Sequence, residues 1–261
     1  MIGAIAGDII GSVYEHRPIK TTDFPLFSEG CRATDDSVLT IAVAAALMDG
    51  DDFAASLRTY GRRYPDAGYG AMFRQWVQSD HAGPYNSFGN GSAMRVSPVA
   101  WFADSEDQVL ELAARTANPT YNHAEGLKGA KATALAMWLA LGGATVAAIG
   151  RAVGAATGYD LARTVAQIRP GYGFDVTCQG SVPEALICAL EAESYEDAVR
   201  LAVSLGGDAD TQACIAGAIA EARFGVPASI AETALAYLDD DLRSVAIRFR
   251  DNYGMRMGGC L

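Results

Sequence analysis

The sequence predicts an all-α fold, a compact bundle of about ten or more helices. Apolar residues recur at helical spacing through most of the 261 residues. Alternating β-branched runs, which would mark strands, are missing. Alanine is abundant, and its small side chain favours helix and lets helices approach closely.

The opening segment MIGAIAGDIIG is apolar, but it has no basic leader region and reaches Asp8 too soon for a signal peptide, so it reads as part of the mature chain. In the run DDSVLTIAVAAALMD, residues 35–49, Val38, Leu39, Ala42, Val43, Ala46 and Leu47 share one broad face, which predicts a core helix. Similar periodicity predicts helices over roughly residues 53–63, 71–78, 92–102, 106–117, 125–141, 146–155, 182–191, 195–205, 210–224, 230–237 and 242–250. The longest uncharged stretch, residues 132–150, is mostly Ala and Gly and is divided by Gly142 and Gly143. Two buried helices joined at the glycines account for it better than a membrane span. No linker and no internal repeat divides the chain, so residues 1–261 read as one domain.

Composition narrows the class. Half of the residues are apolar and 20% are charged, which excludes a disordered chain. Lys and Arg number 20 against 31 Asp and Glu, a net charge of -11, and no window gathers five basic residues. That balance argues against a nucleic-acid surface or a polybasic membrane contact. Cys31, Cys178, Cys188, Cys214 and Cys260 are odd in number and widely spaced, with no CxxC pair. They fit neither a disulfide framework nor a thiolate zinc site, and a reducing cytoplasm suits them best.

The interruptions between helices carry the chemistry-bearing residues. Thr34-Asp35-Asp36 opens one apolar helix, and Asp208-Ala209-Asp210-Thr211 opens another about 170 residues later. Neighbouring positions within a helix diverge by about 100°, so such carboxylates converge only at a helix start. If the two starts meet, they supply four carboxylates and two hydroxyls. An all-oxygen set suits hard ions such as Mg²⁺ or Mn²⁺ rather than zinc, and four carboxylates balance two divalent ions. Helix capping explains either motif alone; their pairing in one helical chain points toward metal. Asp49 with Asp51 and Asp52, and Asp239 to Asp241, lack glycine and hydroxyl partners and read as a solvated turn and a helix start.

Ser87-Phe88-Gly89-Asn90-Gly91-Ser92 precedes the apolar run AMRVSPVAWF, an arrangement in which backbone N–H groups can hold phosphate. It is neither a Walker nor a Rossmann motif. Phe88 could stack on a base or simply bury itself in the loop. His16, His81 and His123 are the three histidines, and no GxSxG elbow exists to complete a triad; His81 reads as exposed in a polar turn, and His16 and His123 as structural. Glu15, on its own, reads as a surface carboxylate.

Six segments, GDIIGSVYE (7–15), TDDS (34–37), GYG (68–70), SFGNGSAMR (87–95), SVPEA (181–185) and SLGGDADTQA (204–213), together and in this order resemble the ADP-ribosylglycohydrolase family. The resemblance implies an orthogonal all-α bundle with two Mg²⁺ or Mn²⁺ ions in a central cleft. It also implies hydrolysis of the glycosidic bond at the anomeric carbon of ADP-ribose, releasing it from a modified protein or other acceptor. Carried over by position, Thr34, Asp35, Asp36, Asp208, Asp210 and Thr211 would be metal ligands. Glu15, with Asp35, Asp36 and Asp210, would serve catalysis near the scissile ribose. The loop of Ser87, Phe88, Gly89, Asn90 and Gly91 would bind the diphosphate, with Phe88 against the adenine, and Gly68, Tyr69 and Gly70 would line the distal ribose. Where many members have Thr-His, this chain has Thr120-Tyr121-Asn122-His123, which puts Tyr121 at the usual histidine position and His123 two residues on, both as substrate-binding candidates. Ser37 replaces a more frequent Thr and keeps the hydroxyl. The rival readings are a hydrolase of another ribosyl or nucleotide compound and a non-catalytic ADP-ribose-binding relative.

Overall fold

A computed structural model describes residues 1–254; Cys260 lies outside them. At the centre, α1 (Ile2–Gly11) lies against α13 (Ala209–Phe224). Every residue of α1 is buried, including Asp8, and so is nearly all of α13. A helix that is apolar all round has no stripe to orient and must sit in the interior.

Contact between the two depends on small residues one helical turn apart. A Cβ on Gly3 would lie 2.5 Å from the Gly217 carbonyl oxygen, one on Gly7 2.0 Å from that of Ala213, and one on Gly11 2.4 Å from that of Ala209. Tyr195, on α12 (Tyr195–Val203), locks the far end by donating its hydroxyl to the Gly3 carbonyl at 2.7 Å.

Around this pair pack α2 (Asp35–Asp49), α8 (Ala124–Leu141) and α11 (Cys178–Glu191). The outer helices α3 (Phe53–Arg63), α7 (Glu106–Ala117) and α15 (Asp240–Tyr253) bury only one stripe each. Side chains cap many of the starts: Thr34 opens α2, Asp52 opens α3, Ser105 opens α7 and Asp239 opens α15. The only bridge among the described residues is isolated, between Gly89 and Thr177, so the fold is all-α as expected.

Several boundaries differ from the sequence reading. The opening segment is helical, where no helix was expected. The span 92–102 divides into α5 (Gly91–Met94) and α6 (Ser97–Phe102), and Pro98 falls in the first turn of the second, where proline is favoured. Conversely, α11 begins at Cys178, capped by Thr177, and carries Pro183 inside it rather than starting beside it. A short α10 (Val165–Ile168), held by a capping box of Thr164 and Gln167, falls where no helix was expected. The division at the glycine pair is as expected: α8 ends at Leu141 and α9 (Val146–Thr157) follows, with Gly143 at φ 76°.

The irregular stretch from Ser12 to Ala33 carries Glu15 across the helix ends. Arg200 fixes it by donating to the carbonyls of Thr22 and Phe24 at 2.9 and 2.6 Å. Lys20 ties it to the other side, donating to the carbonyls of Arg169, Tyr172 and Leu205.

Candidate functional site

The N-termini of α2 and α13 meet over the buried end of α1. Asp8 is the pivot: its carboxylate accepts from the Thr34 amide at 2.9 Å, the Thr34 hydroxyl at 2.6 Å, the Ser37 amide at 3.1 Å and the Ser37 hydroxyl. Four donors satisfy this fully buried group and fix the start of α2. Sequence reasoning passed over Asp8 as a site residue; the available signal was a lone carboxylate inside an apolar segment, which is costly to bury without partners.

From α2, Asp36 reaches toward α13, where the Thr211 hydroxyl donates to its Oδ2 at 3.3 Å. Its Oδ1 is buried with no partner. The Thr211 amide donates to Asp210 Oδ1 at 2.9 Å, and the Asn90 amide group donates to Asp208 Oδ2 at 2.6 Å and to the Ser181 hydroxyl at 3.1 Å. Asn90 therefore joins the glycine loop to the acidic cluster, and Ser181 is a supporting partner not foreseen as part of the site.

Two carboxylate triads result. Oxygens of Asp8, Asp36 and Asp210 lie within 4.8 Å of one another, and so do oxygens of Glu15, Asp208 and Asp210. Asp210 belongs to both. Burial raises the pKa of each buried member, and like charges add to the rise at Asp36, Asp208 and Asp210. Asp35 is pushed up to about 7 by burial first and then by Asp8, while burial lifts Asp208 to about 6 despite the stabilising bond from Asn90. Asp36 and Asp210 are held well above the usual carboxylate range, again by burial first. Crowded, buried carboxylates with one oxygen left unpaired are what a hard cation relieves, and the all-oxygen donor set fits Mg²⁺ or Mn²⁺.

The cluster forms the floor of a cavity of about 370 Å³. Glu15, Thr34, Asp35, Asp36, Asp208, Asp210 and Thr211 line its acidic part, with Gly68 and Gly70 on one wall and Ser87, Gly89, Asn90, Gly91 and Tyr121 on another. Gly68, at φ 117°, adopts backbone that favours glycine, and a Cβ there would come within 3.1 Å of Asp35 Oδ1. Glu15 is half-buried at the rim, 3.7 Å from the exposed His16.

Three expected substrate residues stand apart from this lining. Tyr69 is 2% exposed and packs beneath it against Phe73, with ring centres 4.9 Å apart. Phe88 is exposed outside the lining, where its ring lies 5.3 Å from that of His123. His123 opens α8 by accepting the Glu125 amide on Nδ1 at 3.1 Å. His81 is exposed, as expected.

The glycine loop spends much of its own hydrogen bonding on the fold. The Ser87 amide donates to the Thr120 carbonyl at 3.3 Å, the Gly89 amide to the Ser87 hydroxyl at 3.2 Å and the Asn90 amide to the Val176 carbonyl at 2.8 Å. Tyr121 presses on this loop so closely that a Cβ on Gly91 would fall 2.1 Å from its hydroxyl oxygen.

Over residues 1–257 the chain matches the family model described as ADP-ribosylglycohydrolase. It is 26% identical to ADP-ribosylhydrolase ARH3 of Mus musculus over an alignment covering 87% of this chain and 83% of that protein. Identity to ADP-ribosylhydrolase ARH3 of Homo sapiens is 25%, covering 93% of this chain and 90% of the relative. A solved structure described as an ADP-ribosylglycohydrolase-related protein complex shares the fold, with a TM-score of 0.69 at 24% identity over 98% of this chain and 97% of its own.

Proposed function

The chain belongs to the ADP-ribosylglycohydrolase family, and from that premise we propose that it hydrolyses the glycosidic bond at the anomeric carbon of ADP-ribose, releasing it from a modified protein or other acceptor. The observation that supports this best is the pair of carboxylate triads sharing Asp210 on the floor of a cavity with a glycine loop on its wall. Thr34, Asp35, Asp36, Asp208, Asp210 and Thr211 would hold two divalent ions, Mg²⁺ or Mn²⁺. Bound there, the ions supply positive charge that offsets the carboxylates and orients ribose oxygens.

The chain's own residues do the rest. Asp8, held by four donors, three of them on Oδ2 and one on Oδ1, orients the start of α2. Asn90 turns Asp208 toward the cluster. Glu15 sits between solvent and the acidic floor, where a carboxylate can take a proton from water or return one to the leaving group. Gly68 and Gly70 leave room for a ribose beside Asp35, and the Ser87 to Gly91 wall receives the diphosphate. Phe88, exposed beside His123, offers a face to the adenine, while Tyr69, packed on Phe73, supports the Gly68 and Gly70 wall from below.

Tyr121 favours a second reading, a different ribosyl or nucleotide substrate, because its hydroxyl occupies the loop side of the cavity where many family members carry a histidine. One experiment decides between them. ADP-ribosylated substrates with different linkages, and free ribosyl nucleotides, are incubated with the protein with and without Mg²⁺, and released ADP-ribose is read by mass. Metal-dependent release from at least one linkage is expected. Cleavage of free nucleotides alone would select the second reading, and no cleavage with retained ADP-ribose binding would leave a binding protein.

A further inference from the structure

Arg95 closes the SFGNGSAMR segment and is wholly buried, 0% exposed. Among the described residues it has no ion-pair partner. Its Nη2 donates to the Thr116 carbonyl at 2.7 Å and to the Thr120 hydroxyl at 2.8 Å, whereas Nε and Nη1 are buried with no partner. Burial pushes its basicity down, yet a guanidinium keeps its proton. An interior cation without a carboxylate is a costly thing to retain, and the two hydrogen bonds do not require a charge.

What the charge faces is Tyr121. The guanidinium carbon lies 5.0 Å from the centre of that ring, and the same ring touches the glycine loop at two points. A Cβ on Gly91 would meet its hydroxyl oxygen at 2.1 Å, and one on Gly89 its Cε1 at 3.4 Å. Tyr121, with Tyr85 beside it at 6.4 Å between ring centres, thus lies between a buried positive charge and the wall of the cavity. The amides of Ser87, Gly89 and Asn90 are committed within the protein, so a positive charge behind this wall adds to what the remaining loop amides offer an anion. The one guanidinium in the cavity lining among the described residues, Arg32, donates to the Ala67 carbonyl beside Gly68 at 3.5 Å.

We infer that Arg95 is the counter-charge for a diphosphate seated on the glycine loop, a positioning residue that acts through Tyr121. Resting on the ADP-ribose reading, this assigns a selecting role: the site prefers an anionic ligand over its neutral counterpart because of Arg95. A cation over the ring makes the phenol O–H a stronger donor toward a phosphate oxygen, and the low-dielectric interior leaves its field little screened.

The test compares ADP-ribose with adenosine, which lacks the diphosphate, by calorimetry on the Mg²⁺-loaded protein. Arg95→Met should weaken ADP-ribose tenfold or more and adenosine less than twofold, and Arg95→Lys, which keeps the charge, should recover most of the loss. Tyr121→Phe leaves the buried Arg95 and its stacking in place, so it reports even if the Arg95 variants do not fold; it should weaken ADP-ribose several-fold and spare adenosine. Combined with Arg95→Met it should cost less than the sum of the two, since both act along one path. Equal losses for both ligands, no loss for either, no recovery with Lys, or strict additivity would overturn the assignment. A wild-type protein that binds no ADP-ribose would instead remove the reading on which it rests.

Discussion

Asp210 belongs to both carboxylate triads, and Glu15 to only one, at its solvent edge. Their substitutions should therefore differ in kind. Asp210→Asn should lose both metal binding and turnover, because an amide brings no charge to offset a divalent ion. Glu15→Gln should leave ADP-ribose affinity within a few-fold and lower turnover by roughly a hundredfold or more, the range of a proton-transfer role. Calorimetry with Mg²⁺ and with ADP-ribose, beside single-linkage turnover, separates the two; wild-type turnover in Glu15→Gln would take Glu15 out of the chemistry. The loop glycines also differ. Gly89 could accept a methyl group with contacts no closer than 3.4 Å, but one on Gly91 would collide with Tyr121 at 2.1 Å. Gly91→Ala should weaken ADP-ribose more than Gly89→Ala, with Mg²⁺ affinity unchanged in both; the reverse ranking would mean that Tyr121 does not set the wall. The paired helix starts were legible because oxygen donors there face outward together. Asp8 was not, since its partners Thr34 and Ser37 stand 26 and 29 residues away. Nor did local sequence tell that Tyr69 would turn inward and that His123 would spend Nδ1 on a cap.

At the level of elements, α2 and α13 were readable from long apolar runs with polar starts, whereas α1 was not. The opening segment is short and has no polar start to mark a helix, and only its glycines at every fourth position hint at a close neighbour. The periodicity places the start of α11 at residue 182, but the helix begins four residues earlier, at Cys178, and keeps Pro183 in its interior. The α1 to α13 contact makes its own prediction. Gly7→Ala puts a Cβ 2.0 Å from the Ala213 carbonyl oxygen, so the helices must separate, at a cost of about 1–3 kcal/mol for overpacking. Gly11→Ala would press on Asp210 itself, with its Cβ 2.5 Å from the Asp210 Cα, and should lower Mg²⁺ affinity as well as stability. Denaturant melts and Mg²⁺ titrations check both; a Gly7→Ala protein as stable as wild type would show that the contact yields freely.

Taken whole, the molecule concentrates part of its negative charge where water cannot screen it. Asp35 at about 7 and Asp208 at about 6 are raised by burial above their ordinary 3.8, so the metal-free folded protein keeps protons that the unfolded chain has released. Their contribution to stability is therefore complete below 3.8 and is lost as pH rises through 6 and 7. Cations compete with those same protons and bind the folded state, so the gain in Tm on adding Mg²⁺ to chelator-treated protein should grow from pH 5 toward pH 8. Thermal scans across that range test it, and a gain independent of pH would mean that these groups are not where the ion binds.

The bond from Tyr195 to Gly3 spans 192 positions of the chain, and that span has a meaning in time. A ribosome adding about 5–20 residues per second needs roughly 10–40 s between making α1 and making the helices that enclose it. For that interval a helix with no polar face waits in water, holding one carboxylate whose hydroxyl partners arrive early and whose packing partners arrive late. Nascent chains halted before α13 has cleared the exit tunnel should lose α1 to protease, and chains halted after it should not. Protection at the earlier stop would mean that α1 finds a shelter during synthesis other than the one it keeps.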